Sequence, residues 1–178
     1  MDKMPRFYGN SGEFSFETAR RPDKKRDFRG IGNQSLLRVS KFKKINIFGR
    51  MVTEITQGIK VSVETEYQPS YSSPSQYHYV FTYRITIENQ SEYTIQLLRR
   101  HWLISDAGFS RREVEGDGVV GQQPVLEPGQ THQYVSGCNL KSGIGKMVGT
   151  YLMERIVDGM KLKVNIPEFT MVAPMRLN

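Results

Sequence analysis

The sequence predicts an all-β protein: an antiparallel β-sandwich of seven to eight strands behind a basic N-terminal tail. Three observations carry this expectation. From Ile55 onward apolar residues recur at every second position, the period of a strand with one buried face. Turn-forming residues interrupt those runs roughly every ten residues, the rhythm of a sandwich. No stretch keeps the 3.6-residue period of an amphipathic helix.

The elements follow in order. Ile59, Val61, Val63 and Tyr67 share one face, with Lys60, Ser62, Glu64 and Glu66 on the other. Residues Gln68 to Gln76, with two prolines and a cluster of serines, read as a turn. The clearest strand runs from His78 to Glu88, where Tyr79, Phe81, Tyr83, Ile85 and Ile87 alternate with Val80, Thr82, Arg84 and Thr86. Asn89-Gln90-Ser91 turns into a strand from about Tyr93 to Ser105. Asp106-Ala107-Gly108 then turns into Ser110 to Glu115. Glu127-Pro128-Gly129-Gln130 precedes a strand from Thr131 to Ser136, and Lys146–Val157 and Met160–Ile166 form a hairpin across Asp158-Gly159.

A domain boundary falls at Met51. Residues 1–50 carry 13 basic and 5 acidic side chains, net +8, whereas residues 51–178 carry 12 and 13, net −1. The basic isoelectric point therefore belongs to the tail, and overall charge gives no ground for a nucleic-acid site in the domain. Three readings of residues 1–50 stand side by side. They are a disordered extension, sequence upstream of a true start at Met51, or a basic arm for nucleic acid or an anionic surface. A short apolar patch from Leu36 to Phe48 is assigned no fixed structure. No secretory leader is expected, since the first thirty residues hold no continuous apolar run, and no apolar run approaches the roughly 20 residues a membrane span needs. With a single cysteine, Cys138, no intrachain disulfide is possible, and a cytoplasmic location is expected.

Gly116-x-Gly118-x-x-Gly121 matches the dinucleotide fingerprint as a string. That chemistry requires a helix directly behind the glycines, so that the pyrophosphate sits on its N-terminus. Gln122-Gln123-Pro124 and then Pro128 forbid the helix. The glycines then serve a connection between strands, through positive φ or close backbone approach. A second reading is an anion nest of successive N–H groups at Gly116, Gly118 and Gly121, with charge from Arg111 and Arg112. In Arg99-Arg100-His101-Trp102, Trp102 is expected in the core. Arg99, Arg100 and His101 either pair with neighbouring acids or form a basic patch for a partner's carboxylate. His78, His101 and His132 lack the spacing of metal ligands, so no metal site is expected. Cys138 has no supporting motif for a nucleophile; burial is the ordinary fate of a lone cysteine beside a strand. No catalytic residues and no cofactor are expected.

Residues from about Met51 to Asn178 resemble the ApaG family of bacterial proteins. The cues are Tyr83-Arg84-Ile85-Thr86-Ile87-Glu88-Asn89, Leu97-Leu98-Arg99-Arg100-His101-Trp102, Gly116 through Leu126, Pro128-Gly129, Tyr134-Val135-Ser136-Gly137-Cys138 and Gly149-Thr150-Tyr151-Leu152-Met153. The resemblance implies a fibronectin-III-like or immunoglobulin-like sandwich. It also implies a non-enzymatic protein-interaction module linked to cobalt resistance and magnesium efflux. The matched glycines imply nucleotide or pyrophosphate binding as the alternative. The expected partner is an unspecified protein, with a phosphate-containing small molecule as a second ligand.

Overall fold

Ten strands, all paired antiparallel, build two sheets in a computed structural model that describes residues 13–15 and 51–174. They are β1 (Glu13–Ser15), β2 (Val52–Thr56), β3 (Ile59–Tyr67), β4 (Tyr79–Asn89), β5 (Ile95–Asp106), β6 (Arg111–Asp117), β7 (Val125–Leu126), β8 (Thr131–Leu140), β9 (Ile144–Arg155) and β10 (Lys161–Val172). The first sheet has the order β1-β8-β4-β3-β2; the second has β10-β9-β5-β6, with β7 also paired to β5. Apart from β1, the readings of the basic tail, including its Leu36–Phe48 patch, fall outside the described residues. Among those described there is no α-helix, and no helix long and apolar enough to cross a membrane.

The seven longer strands from β3 onward are those the alternation predicts, and the sandwich is the expected one. The inward faces supply the core: Ile59, Val61 and Val63 from β3, and Phe81, Tyr83, Ile85 and Ile87 from β4. From the facing sheet come Trp102, Ile104, Met147, Tyr151, Val164 and Phe169. Trp102 is fully buried, with the rings of Tyr83 at 5.7 Å and Phe169 at 5.9 Å, edge-on to it. Such pairs add about 1 kcal/mol beyond the buried area. Gly149, opposite Trp102 in β9, has no side chain to collide with that indole. Cys138 is buried, as expected.

Three features escaped the alternation. In β5 the register shifts between Leu97 and Arg99, so Ile95 and Leu97 point inward before the irregularity and Trp102 and Ile104 after it. That bulge is why neither face of the Leu97–Ile104 stretch reads as purely polar. β10 continues past Ile166 to Val172, because Pro167, which has no N–H to give, sits in the register shift between Ile166 and Phe169. Finally, β2 and the two-residue β7 are too short or too polar to stand out in sequence.

Asn89 locks the corner where the chain leaves the first sheet. Fully buried, its amide donates to the carbonyls of Tyr93 (2.8 Å) and Leu126 (2.9 Å) and its oxygen accepts from Ser91 N–H (3.0 Å) and Ser91 Oγ (2.6 Å). A buried amide with both ends satisfied holds β4, β5 and β7 in one arrangement.

Candidate functional site

The glycine stretch is a hairpin tip. Val119 N–H donates to Gln122 O (2.8 Å) and Gln122 N–H to Val119 O (2.9 Å), closing a two-residue turn over Val120 (φ 49°) and Gly121 (φ 73°). Positive φ at both central positions is the type I′ geometry, which glycine adopts freely and valine does not. Gly118 (φ 59°) has no room for a side chain, since a Cβ there would run into the Gln122 carbonyl. Gly118 N–H is bonded to Leu98 O (2.8 Å). Three N–H groups that an anion nest would draw on, those of Gly118, Val119 and Gln122, thus already serve carbonyls.

The arginines assigned to that loop stand elsewhere. Arg111 and Arg112 begin β6, whereas Gly116 and Gly118 lie at and just past its other end. Arg112 crosses the open side of the sandwich to donate to Asn139 O (2.6 Å) and reach Cys138 Sγ (3.5 Å), tying β6 to β8. The arginine at the glycine turn is Arg100, which donates from Nη1 to Gly118 O (3.0 Å) and Asp117 O (3.2 Å). Gly116 lies directly opposite it in register. Gly116 and Gly118 are therefore brought together with Arg100, and not with Arg111 or Arg112.

Arg99 and His101 point the other way, onto the outer face of the second sheet. Arg99 Nε pairs with Asp117 (3.1 Å), and His101 Nε2 with Glu113 and, at 3.9 Å, Glu115. The ligand-type atoms of His101, Glu113 and Glu115 lie within 4.8 Å of one another. Spacing rules for metal motifs cannot see such a trio, because it forms across two strands. His101 is hydrogen-bonded to Glu113 there, and Arg99 forms exposed ion pairs with Asp117 and, at 3.9 Å, Glu115.

Register extends this face across the sheet. Arg99 lies beside Leu152, His101 beside Thr150 and Leu103 beside Val148. Leu103 is 45% exposed and Leu152 37%. Acidic Glu113, Glu115 and Asp117 border this strip along β6, and Lys161 and Lys163 border it along β10. The outer face of the first sheet is different, because cross-strand polar pairs cover it: Lys60–Glu88 (3.0 Å), Arg84–Glu64 (3.3 Å), Gln133–Thr86 (3.0 Å) and Gln68–Thr82 (2.8 Å). The Glu88 carboxyl is held below the usual range by hydrogen bonding from Gln90 and then by Lys60. Alternation put Leu103 on the face of Arg99 and His101, but nothing local to β5 could place Leu152 and Val148 beside them.

A cavity of about 360 Å³ opens between the Val119–Gln122 turn and residues 132–135 of β8, with Arg84 on its rim. His132 borders it, its imidazole held below the usual range by burial.

Comparison with known proteins gives one consistent result. The ApaG domain family model matches residues 69–155. A protein named ApaG from Brucella canis is 46% identical over 124 residues, covering 70% of this chain and 95% of its own length. A protein of the same name from Anaeromyxobacter dehalogenans is 46% identical over 128 residues, 72% of this chain and 100% of its own length. The crystal structure of a Bordetella pertussis protein described as ApaA is 45% identical, with a TM-score of 0.63 over 65% of this chain and 94% of that one.

Proposed function

The chain belongs to the ApaG domain family, and on that premise we propose that it is a non-enzymatic, cytoplasmic protein-recognition module that docks its partner on the outer face of the β10-β9-β5-β6 sheet. The observation that supports this is one exposed strip, with Leu152 beside Arg99 at one end, Leu103 beside Val148 at the other and His101 beside Thr150 between them, set between an acidic and a lysine-bearing strand. Exposed apolar side chains set among charged groups are a composition that recognition surfaces use. The partner would present basic groups toward β6 and acidic groups toward β10. The link to cobalt resistance and magnesium efflux would then act through that partner. A phosphate-bearing ligand at the glycine turn is the weaker reading, because the N–H groups of Gly118, Val119 and Gln122 are engaged and Arg111 and Arg112 lie at the far end of β6.

Quantitative affinity capture tests the proposal with three baits: the unmodified chain, Leu103→Glu with Leu152→Glu, and Thr86→Glu on the opposite sheet. The reading requires a partner held by the first and third baits and reduced about tenfold or more by the second, as for loss of a central contact. Equal recovery on all three baits would remove this face from consideration.

A further inference from the structure

With only the three-residue β1 outside it, β8 differs from the strands at the other sheet margins. Natural edges are guarded by charge, proline or bulges, since their unpaired N–H and C=O groups would otherwise template another strand. β6 carries Arg111, Arg112, Glu113, Glu115 and Asp117, and β10 carries Lys161, Lys163, Glu168 and Pro167. β2 is short, and β10 covers it through Asn165, whose N–H donates to Thr56 Oγ1 (3.2 Å) and whose amide donates to Glu54 Oε1 (2.8 Å). β8 reads Thr131-His132-Gln133-Tyr134-Val135-Ser136-Gly137-Cys138-Asn139-Leu140, with no lysine, arginine, acid or proline in ten residues.

One side of β8 pairs with β4 from Thr131 to Leu140. Its other side carries β1, in the antiparallel register Glu13↔Cys138, Phe14↔Gly137 and Ser15↔Ser136. Gly137 at the centre of that pairing lets a neighbouring backbone approach without a side chain between. Among the described residues no strand covers Thr131 to Val135 on this side. Continued in the same register, an added strand would run along Val135 toward Thr131. There it would enter the 360 Å³ cavity between β8 and the Val119–Gln122 turn.

We infer that the outer side of β8 is a strand-acceptor edge whose occupant is the chain's own segment around Glu13–Ser15, so that an extended peptide from elsewhere binds there in competition with the tail. Main-chain hydrogen bonds supply the attraction, and the cavity beside residues 132–135 reads one side chain of the incoming strand. This edge is distinct from the Leu103–Leu152 face and does not depend on it. A tail strand in place would mask it by acting as a tethered ligand.

Two variants of the full-length chain test the inference: Phe14→Pro, and Glu13→Pro with Ser15→Pro. Between them they remove strand hydrogen bonding from either alternating set of pairs. Of the three paired residues only Gly137 directs its N–H toward β1, Ser136 and Cys138 donating to β4, so amide exchange at Gly137 should quicken about tenfold or more in at least one variant, while that of Ile85 and Ile87 stays fixed. A synthetic peptide of residues 8–20, added in trans, should restore protection at Gly137. It should also bind that variant at least about tenfold more tightly than the unmodified chain, whose tethered copy competes at about millimolar effective concentration. Unchanged exchange in both variants overturns the inference. So does a peptide that fails to protect that amide at millimolar concentration, or one that binds both proteins equally.

Discussion

The Arg100 guanidinium occupies the space that a side chain on Gly116 would fill: a Cβ there would lie 2.8 Å from Arg100 Nη1. Through that vacancy Arg100 reaches the carbonyls of Asp117 and Gly118 and fastens the hairpin tip to β5. The glycine spacing thus records three separate steric demands within one turn.

Substituting each glycine by alanine should separate those demands. Gly121→Ala meets open space and only the cost of a positive φ, about 1 kcal/mol. Gly116→Ala pushes aside the flexible end of Arg100 and loses its carbonyl bonds, about 1–2 kcal/mol. Gly118→Ala collides with the Gln122 main chain and should cost more than either, about 3 kcal/mol or more. Urea denaturation ranks the three. A nucleotide site would give no reason for this order.

Val120 is the misfit in the same turn. A β-branched residue at φ 49° is strained, and asparagine is the residue that the first central position of a type I′ turn favours. Val120→Asn should therefore stabilise the fold by about 1 kcal/mol, seen as a rise of a few degrees in Tm. A lower Tm would show that the 37% exposed Val120 side chain matters more through its contacts than through its backbone.

Arg111 and Arg112 are neighbours with different fates. Arg112 satisfies Asn139 O across the gap between the sheets, so Arg112→Ala should destabilise by about 1–3 kcal/mol. Arg111 is exposed at the head of β6, and Arg111→Ala should change stability by no more than about 0.5 kcal/mol. Thermal unfolding of the two variants in phosphate-free buffer checks this. Equal, small effects would return Arg112 to the pool of ligand-binding candidates.

His132 couples stability to pH. Burial lowers its pKa in the folded state below the unfolded value of about 6.5. Within the window between the two values the unfolded chain binds more protons, so stability rises with pH there and is lost as the solution is acidified from about 6.5 down through the lower folded-state value. His132→Gln should flatten that part of the Tm-against-pH curve. A variant as acid-sensitive as the parent between pH 7 and 5.5 would assign the effect to other groups.

The alternation of Tyr83, Ile85 and Ile87 against Arg84 and Thr86 was enough to determine strands and a two-sheet core, because a strand's side-chain period is a local property of the backbone. The prolines after Gly121 were equally decisive: a missing N–H forbids a helix whatever surrounds it. What the tertiary structure decided is adjacency. Arg100, read beside Arg99 and His101, is sent to the glycine turn after a bulge at Leu98, and Arg112, read beside Arg111 at the glycine loop, reaches across the gap between β6 and β8. Leu152 comes to Arg99, and Glu115 to His101, only through strand register. Register is set by the packing of both sheets at once, and no stretch of one strand encodes it alone.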